Sequence, residues 1–180
     1  MAQDAISLIK GDHRTVEGLF QQFSDPAVDE RAQVVGAIIH ELSVHAAVEE
    51  MILYPAVRKS VPGGESLANE ALQEHQQVKE TLAQLDGMDV TDQRVAAMVA
   101  ELQAAVGDHV REEESEILPA LQSALGSEEI DDMGRKIARA KAVAPTRPHP
   151  HAPDTPPGNM IAGLPAGLLD RIRDALDPAR

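Results

Sequence analysis

Cysteine is absent from the 180-residue chain, which removes disulfides, thiol nucleophiles, iron–sulfur clusters and thiolate zinc sites together. Histidine and carboxylate are left as the strong metal-ligand types. Aromatics are nearly missing too, with one Tyr, two Phe and no Trp, too few for a platform on which bases could stack. Basic residues are scarce: 16 Lys and Arg stand against 30 Asp and Glu, a net charge of −14. Such a surface repels nucleic acid and anionic membranes, so neither is expected as a partner. No stretch approaches the ~18 apolar residues of a membrane span. Asp4 and Lys10 interrupt the first segment where a signal peptide needs an apolar run, and the expected location is cytoplasmic.

What the chain does contain is helical periodicity. Apolar positions at alternating steps of three and four run through Ile6, Ile9, His13, Val16, Phe20 and Phe23, then through Val35, Ile38, Leu42, His45, Glu49, Ile52 and Ala56. A third stripe takes Ala68, Ala71, His75, Val78, Leu82 and Leu85, and a fourth takes Val95, Val99, Leu102, Val106, His109, Glu113, Glu116 and Ala120. Each reads as one face of an amphipathic helix. Turn signals at Ser24-Asp25-Pro26, Pro62-Gly63-Gly64 and Gly87 separate them, with Ser66 a candidate N-cap. Short connections between long helices make neighbours antiparallel, so the expected fold is all-α, an up-down-up-down four-helix bundle over residues 1–125. A helical extension is expected over 126–143, a proline-rich linker over 144–160, and a short amphipathic helix over 161–180, built on Leu164, Leu168, Leu169, Ile172 and Leu176. This tail is expected to dock on its own bundle or on a protein partner.

The stripes are interrupted at matched depths. His13 and His45 straddle Asp29 at sixteen residues each side, His45 and His75 straddle Ser60 at fifteen, and His75 and His109 straddle Asp92 at seventeen. At ~1.5 Å of rise per residue, four imidazoles therefore converge at one level of the core. Glu49 and Glu113 each follow a histidine by four residues and face the same way. Buried carboxylates without partners are costly, and bound cations remove that cost. Six donors exceed one tetrahedral zinc, and two carboxylates are suited to bridging a metal pair, so a dinuclear site of iron or manganese is expected.

The motifs His45-Ala-Ala-Val-Glu49-Glu50-Met-Ile-Leu-Tyr54-Pro55 and His109-Val-Arg-Glu-Glu113-Glu114-Ser-Glu-Ile-Leu-Pro119 are two copies of one pattern. With His13 and His75 they complete the order H, HxxxE, H, HxxxE, which resembles the hemerythrin-like HHE proteins, and among them the actinobacterial, mycobacterial-type group with its proline-rich tail. The resemblance implies two non-heme iron ions, bridged by carboxylate and by oxo or hydroxo, with His13, His45, Glu49, His75, His109 and Glu113 as ligands. Oxygen-carrying members have a further histidine one turn after the third-helix ligand. Here that position is Lys79, which argues against reversible oxygen carriage and for reactivity.

The function expected is catalase-like decomposition of hydrogen peroxide, the small-molecule partner being peroxide or dioxygen. The alternative is a di-iron sensor or buffer of oxygen, iron or peroxide without turnover. Tyr54 is a possible catalytic residue and additional metal ligand: nine residues beyond His45, a regular helix turns it about 180° away, but Pro55 can open a bend or wide turn that swings the phenol inward. Surface packing is the competing placement. Glu50, Glu112 and Glu114 flank the inward stripe, as solvated groups or hydrogen-bond partners of ligands, and Glu116 is a weaker candidate for such a partner. His40 and His45 are five apart, wrong for a zinc-protease motif, and His149 and His151 lie among prolines with no preformed site.

Overall fold

The structure is a computed structural model that describes residues 3–24, 30–156 and 158–176. Its elements are α1 (Ala5–Ser24), α2 (Arg31–Val48), a π-helical turn π1 (Glu49–Leu53), α3 (Tyr54–Ser60), α4 (Gly64–Asp86), α5 (Gln93–Glu112), a second π-helical turn π2 (Glu113–Ile117), α6 (Leu118–Ala124), α7 (Ser127–Lys141) and α8 (Gly158–Leu176). There is no strand among the described residues. Four rods form the bundle: α1; α2, π1 and α3 in line; α4; and α5, π2 and α6 in line. The first connection, with Asp25, Pro26 and Asp29, lies outside the described residues. The third rod starts at Gly64, two residues before the expected cap Ser66. Gly63 precedes it at φ 73°, the left-handed conformation glycine adopts without strain.

The apolar stripes of α1 and α4 are buried at every position read from the sequence. Those of the second and fourth rods hold only as far as Glu49 and Glu113. Beyond these, Leu53, Tyr54 and Val57 are buried where Ile52 and Ala56 were expected, and Ile117, Leu118 and Leu121 where Glu116 and Ala120 were expected. Glu116 is exposed, so it supports no ligand. The slip is one residue in both rods, and the π turns cause it. The Tyr54 N–H donates to the Glu49 carbonyl and the Leu118 N–H to the Glu113 carbonyl, five residues back instead of four. Pro55 and Pro119, next in sequence, have no N–H to donate, which favours opening the regular ladder there.

The six interrupting residues form a polar layer between two apolar cores. One is built on Phe20, Ile38, Leu82, Leu85, Val95 and Leu102. The other is built on Ile9, Leu53, Val57, Leu118, Leu121 and Ile137. α7 packs on the second core through Ile130, Met133 and Ile137.

The proline-rich segment docks on the bundle. Asp170 accepts from the backbone N–H of Thr146 and of Arg147, each at 3.2 Å, and its other contact is the His149 imidazole at 2.9 Å. The Arg147 guanidinium ties the segment to Asp174 of α8 and to Asp86 of α4. The last helix begins at Gly158, within the stretch expected to be linker, and seats its polar edge. At Gly167 a Cβ would stand 2.3 Å from the Val143 carbonyl oxygen, so the two backbones need glycine there to meet. Leu168, Leu169 and Ile172, expected as the docking stripe, point outward. The side chains of Leu164 and Leu176 lie outside the described residues. Asp170→Ala orphans two N–H groups at about 1–3 kcal/mol each. The expected outcome is rapid protease cleavage within 144–157 with the bundle intact, read by mass spectrometry.

Candidate metal centre

Each rod delivers its histidine to the polar layer because that residue occupies an inward position of the stripe. His13, His45, His75 and His109 are all at least nine-tenths buried, and Glu49 and Glu113 are fully buried. The His45 Nε2 stands 3.2 Å from Glu49 Oε1, His75 Nε2 stands 3.3 Å from Glu49 Oε2, and His13 Nε2 stands 3.2 Å from Glu113 Oε2. The His75 and His109 Nε2 atoms are 3.2 Å apart. The donor atoms fall into two groups, His13, His45, Glu49 and Glu113 in one and Glu49, His75 and His109 in the other. All six residues expected as ligands are therefore together, and Glu49 belongs to both groups. Glu113 belongs to the first alone.

The donor set fits metal ions. His13 Nε2, His45 Nε2, Glu49 Oε1 and both Glu113 oxygens are buried and have no hydrogen-bond partner. Unsatisfied buried groups of this kind are rare, because each forfeits hydration without compensation. Two donors bound at right angles to one metal at ~2.1 Å lie about 3.0 Å apart, close to the separations seen here.

The outward nitrogens carry a second pattern. Glu114 holds His13 Nδ1 at 2.8 Å, Glu50 holds His75 Nδ1 at 3.1 Å, and Glu74 holds His109 Nδ1 at 2.7 Å. Asp12 faces His45 Nδ1 at 3.5 Å, an ion-pair distance. Each carboxylate comes from the rod next to the histidine it serves, so the four contacts run round the bundle as a ring. Such partners fix the tautomer that leaves Nε2 free for a metal. Glu50 is buried and also takes the Lys79 ammonium at 2.7 Å. Asp12 takes Lys141 from α7. Glu112 is half-buried among Glu70, Glu74 and Glu116 and has no such role. Asp12 and Glu74 are the residues that sequence reasoning missed. Their signal was an acid immediately before each lone histidine, matching the acid immediately after each motif glutamate.

Tyr54 is inside. The five-residue hydrogen bond of π1 stacks it over Glu49, with the phenol oxygen 3.1 Å from His75 Nε2 and 3.3 Å from Glu49 Oε2. It is 1% exposed. Burial and the charges of Glu49, Glu113 and Glu50 push its pKa well above the usual phenol value, keeping it protonated in the absence of a cation. Burial disfavours the His13 imidazolium, but Glu113, Glu49 and Glu114 outweigh it and push His13 up to about 9. Burial pushes His45 down to about 4, although Asp12 opposes it. The two glutamates split: burial and the neighbouring Glu113 drive Glu49 well up, whereas the imidazoles, His13 foremost, overcome burial and hold Glu113 near 2. Like charges this close do not both ionise without a cation between them.

A metal entering the first group must displace the proton on His13 and the proton that burial and Glu113 favour on Glu49. Loading at pH 7 is therefore expected to release protons, and affinity to rise by at least about tenfold per pH unit until pH nears 9. Metal titrations in weakly buffered indicator solution check this; affinity independent of pH from 7 to 9 contradicts it. In the metal-free protein the sign is opposite. His13 adds stability below its ordinary value of 6.5, and that contribution disappears as the pH rises through 9.

Beside the cluster is a small chamber of about 20 Å3, where the four imidazoles meet Val16, Leu42, Val78, Val106 and Val110. His40 is exposed and contacts none of this, and His149 is engaged by Asp170.

The chain is similar to several known proteins. An uncharacterized hemerythrin-like protein of Schizosaccharomyces pombe is 32% identical over 168 residues, 92% of this chain and 83% of that protein. A DNA nickase of Nostoc is 33% identical over 138 residues; the match spans 75% of this chain and 38% of the nickase. The crystal structure of a hemerythrin HHE cation binding domain-containing protein from Mycobacterium kansasii superposes with a TM-score of 0.67 at 23% identity, over 78% of this chain and 86% of that one. The model of the hemerythrin HHE cation binding domain matches residues 4–121, and with its histidines and glutamates gathered as described, the chain belongs to that family.

Proposed function

We propose that the chain is a non-heme di-iron protein that decomposes hydrogen peroxide in the manner of a catalase, in the cytoplasm and without nucleic-acid or membrane partners. The observation that carries the dinuclear part of this reading is Glu49, whose two oxygens face histidines of different groups, as a carboxylate shared by two ions would. Two irons supply a two-electron couple, enough to oxidise one peroxide to dioxygen while another is reduced to water, with no organic co-substrate. The chain's own part is to hold and to exclude. Glu49 and Glu113 would neutralise the ions and the four imidazoles would anchor them, while the ring of carboxylates fixes the imidazoles.

Tyr54 is proposed as an additional ligand or as a donor to bound peroxide, standing over Glu49 and His75. Lys79 occupies the position of the carriers' extra histidine, and its ammonium is engaged by Glu50. That corner therefore offers no fifth imidazole, which supports turnover over oxygen carriage. The chamber admits molecules no larger than a few atoms. The nicking activity named for the Nostoc relative is a poor fit to a chain of net charge −14.

Oxygen evolution on adding peroxide to iron-loaded protein tests the proposal. Dioxygen at one per two peroxides consumed is the expected result. Bound iron without turnover would assign the chain to sensing or buffering instead.

A further inference from the structure

The imidazole cluster is enclosed, so a small molecule must pass between rods to reach it. Three of the four seams are covered among the described residues. α7 lies across the α1/α2 seam, tied by the Lys141 contact to Asp12. The proline-rich segment lies across the α2/α4 seam, where Gln76 donates to the Pro150 carbonyl and only about 60 Å3 is left over Ser43, Glu50 and Lys79. Glu74 bridges from α4 to His109 across the α4/α5 seam.

The α1/α5 seam is bridged in the same way, by Glu114 to His13 and Arg14, but beside that bridge it is not closed over. A groove of about 610 Å3 runs along it, open to solvent between Arg14, Gln103 and Arg111. Its inner wall consists of His13, Val16, Val106 and Val110, and these same four residues line the chamber at the imidazoles. One layer of side chains thus separates solvent from the chamber. His13 is fixed by Glu114, but the other three are valines, whose methyl groups make no hydrogen bond, and rotamer changes of such groups are fast on the timescale of turnover.

Gly107 lies in the same groove. Glycine is a poor residue for a helix interior, yet a Cβ at Gly107 would meet nothing within 4 Å. No packing contact requires glycine here. Its effect is to leave the mouth of the groove clear, directly beside Val106.

We propose that the α1/α5 groove is the entrance to the metal centre, with Val16, Val106 and Val110 as its gate and Gly107 keeping its mouth open. It selects neutral molecules of no more than about two heavy atoms. The chamber has room for about one water-sized body, and its apolar wall penalises a bare charge. The substrate class this gives, peroxide or a diatomic gas as against an organic hydroperoxide, rests on the di-iron reading above.

Gly107→Trp fills the groove from a position where a Cβ meets nothing within 4 Å, and Gly107→Ala is the control. In reduced, iron-loaded protein, stopped-flow association of nitric oxide is expected to slow at least tenfold in Gly107→Trp and to change less than twofold in Gly107→Ala. Peroxide turnover should lose kcat/KM and keep kcat, and Val106→Ala should admit tert-butyl hydroperoxide that the unaltered protein rejects. Unchanged nitric oxide association in a folded Gly107→Trp protein would overturn the route. A second measurement needs no iron: under oxygen pressure, the methyl groups of Val16, Val106 and Val110 in metal-free protein should relax faster than those of Leu121 and Ile137. Equal relaxation would overturn the proposal even if the protein binds two irons, and faster relaxation would sustain the route even if peroxide turnover fails.

Discussion

Glu49→Ala is expected to lower iron content from two per chain to below one. The residue donates to both groups, Oε1 beside His45 and Oε2 beside His75, so its removal takes an anionic donor from each ion at once. The second group would be left with His75 and His109 alone, two neutral nitrogens without a charge to balance the cation. Glu113→Ala, by contrast, should weaken the first group, leaving it His13, His45 and Glu49, and spare the second. Glu50→Gln should keep two irons with affinity about 10–100-fold weaker, since Glu50 acts through His75 Nδ1 and touches no ion. Metal analysis of the three variants checks the order. Loss of a single iron in Glu49→Ala, with the other site intact, would show that Glu49 is not shared. Without metal, Glu49→Ala should cost the fold little or stabilise it, because Glu49 is a fully buried carboxylate driven toward protonation by burial and by Glu113.

Tyr54→Phe should have the second large effect, on colour or turnover and not on iron content. The phenol ring fills the core at 1% exposure, and phenylalanine fills nearly the same volume. The fold should therefore lose only the hydroxyl's hydrogen bonds, about 1 kcal/mol. The hydroxyl itself sits between Glu49 and His75, within reach of an ion or a molecule bound there. As a ligand, Tyr54 gives a phenolate-to-iron absorption band that the variant loses; as a donor to bound peroxide it gives no such band, and turnover in the variant falls on the order of 10²-fold, the scale on which a positioned proton donor acts. An identical spectrum and rate in the variant would reduce Tyr54 to packing.

The sequence was legible wherever the helix was regular. The stripes through His13 and His75 hold at every position, and those through His45 and His109 hold up to the motif glutamates, because a 3.6-residue period maps burial directly onto spacing. At Glu49 and Glu113 the period changes. A π turn adds one residue per rod, so Leu53 and Val57 replace Ile52 and Ala56 in the core, and Ile117 and Leu121 replace Glu116 and Ala120. The same added residue converts Tyr54 from an outward position to one over Glu49, and only Pro55 hinted at it. Asp12 and Glu74 were hidden for another reason. Their partners His45 and His109 are on the neighbouring rod, and spacing along one helix carries no information about the next. In the tail, composition carries less: Pro145 to Pro157 has no helix period, and spacing does not reveal that its backbone N–H groups at Thr146 and Arg147 find a buried carboxylate at Asp170.

The most direct measurement is the iron content of the purified, iron-replete protein together with its Mössbauer spectrum. Two irons per chain forming one spin-coupled pair with inequivalent surroundings is the expected result, one ion with the four donors of the first group and the other with the three of the second, joined through Glu49. A single iron per chain, or two that are magnetically independent, would contradict a centre shared through Glu49.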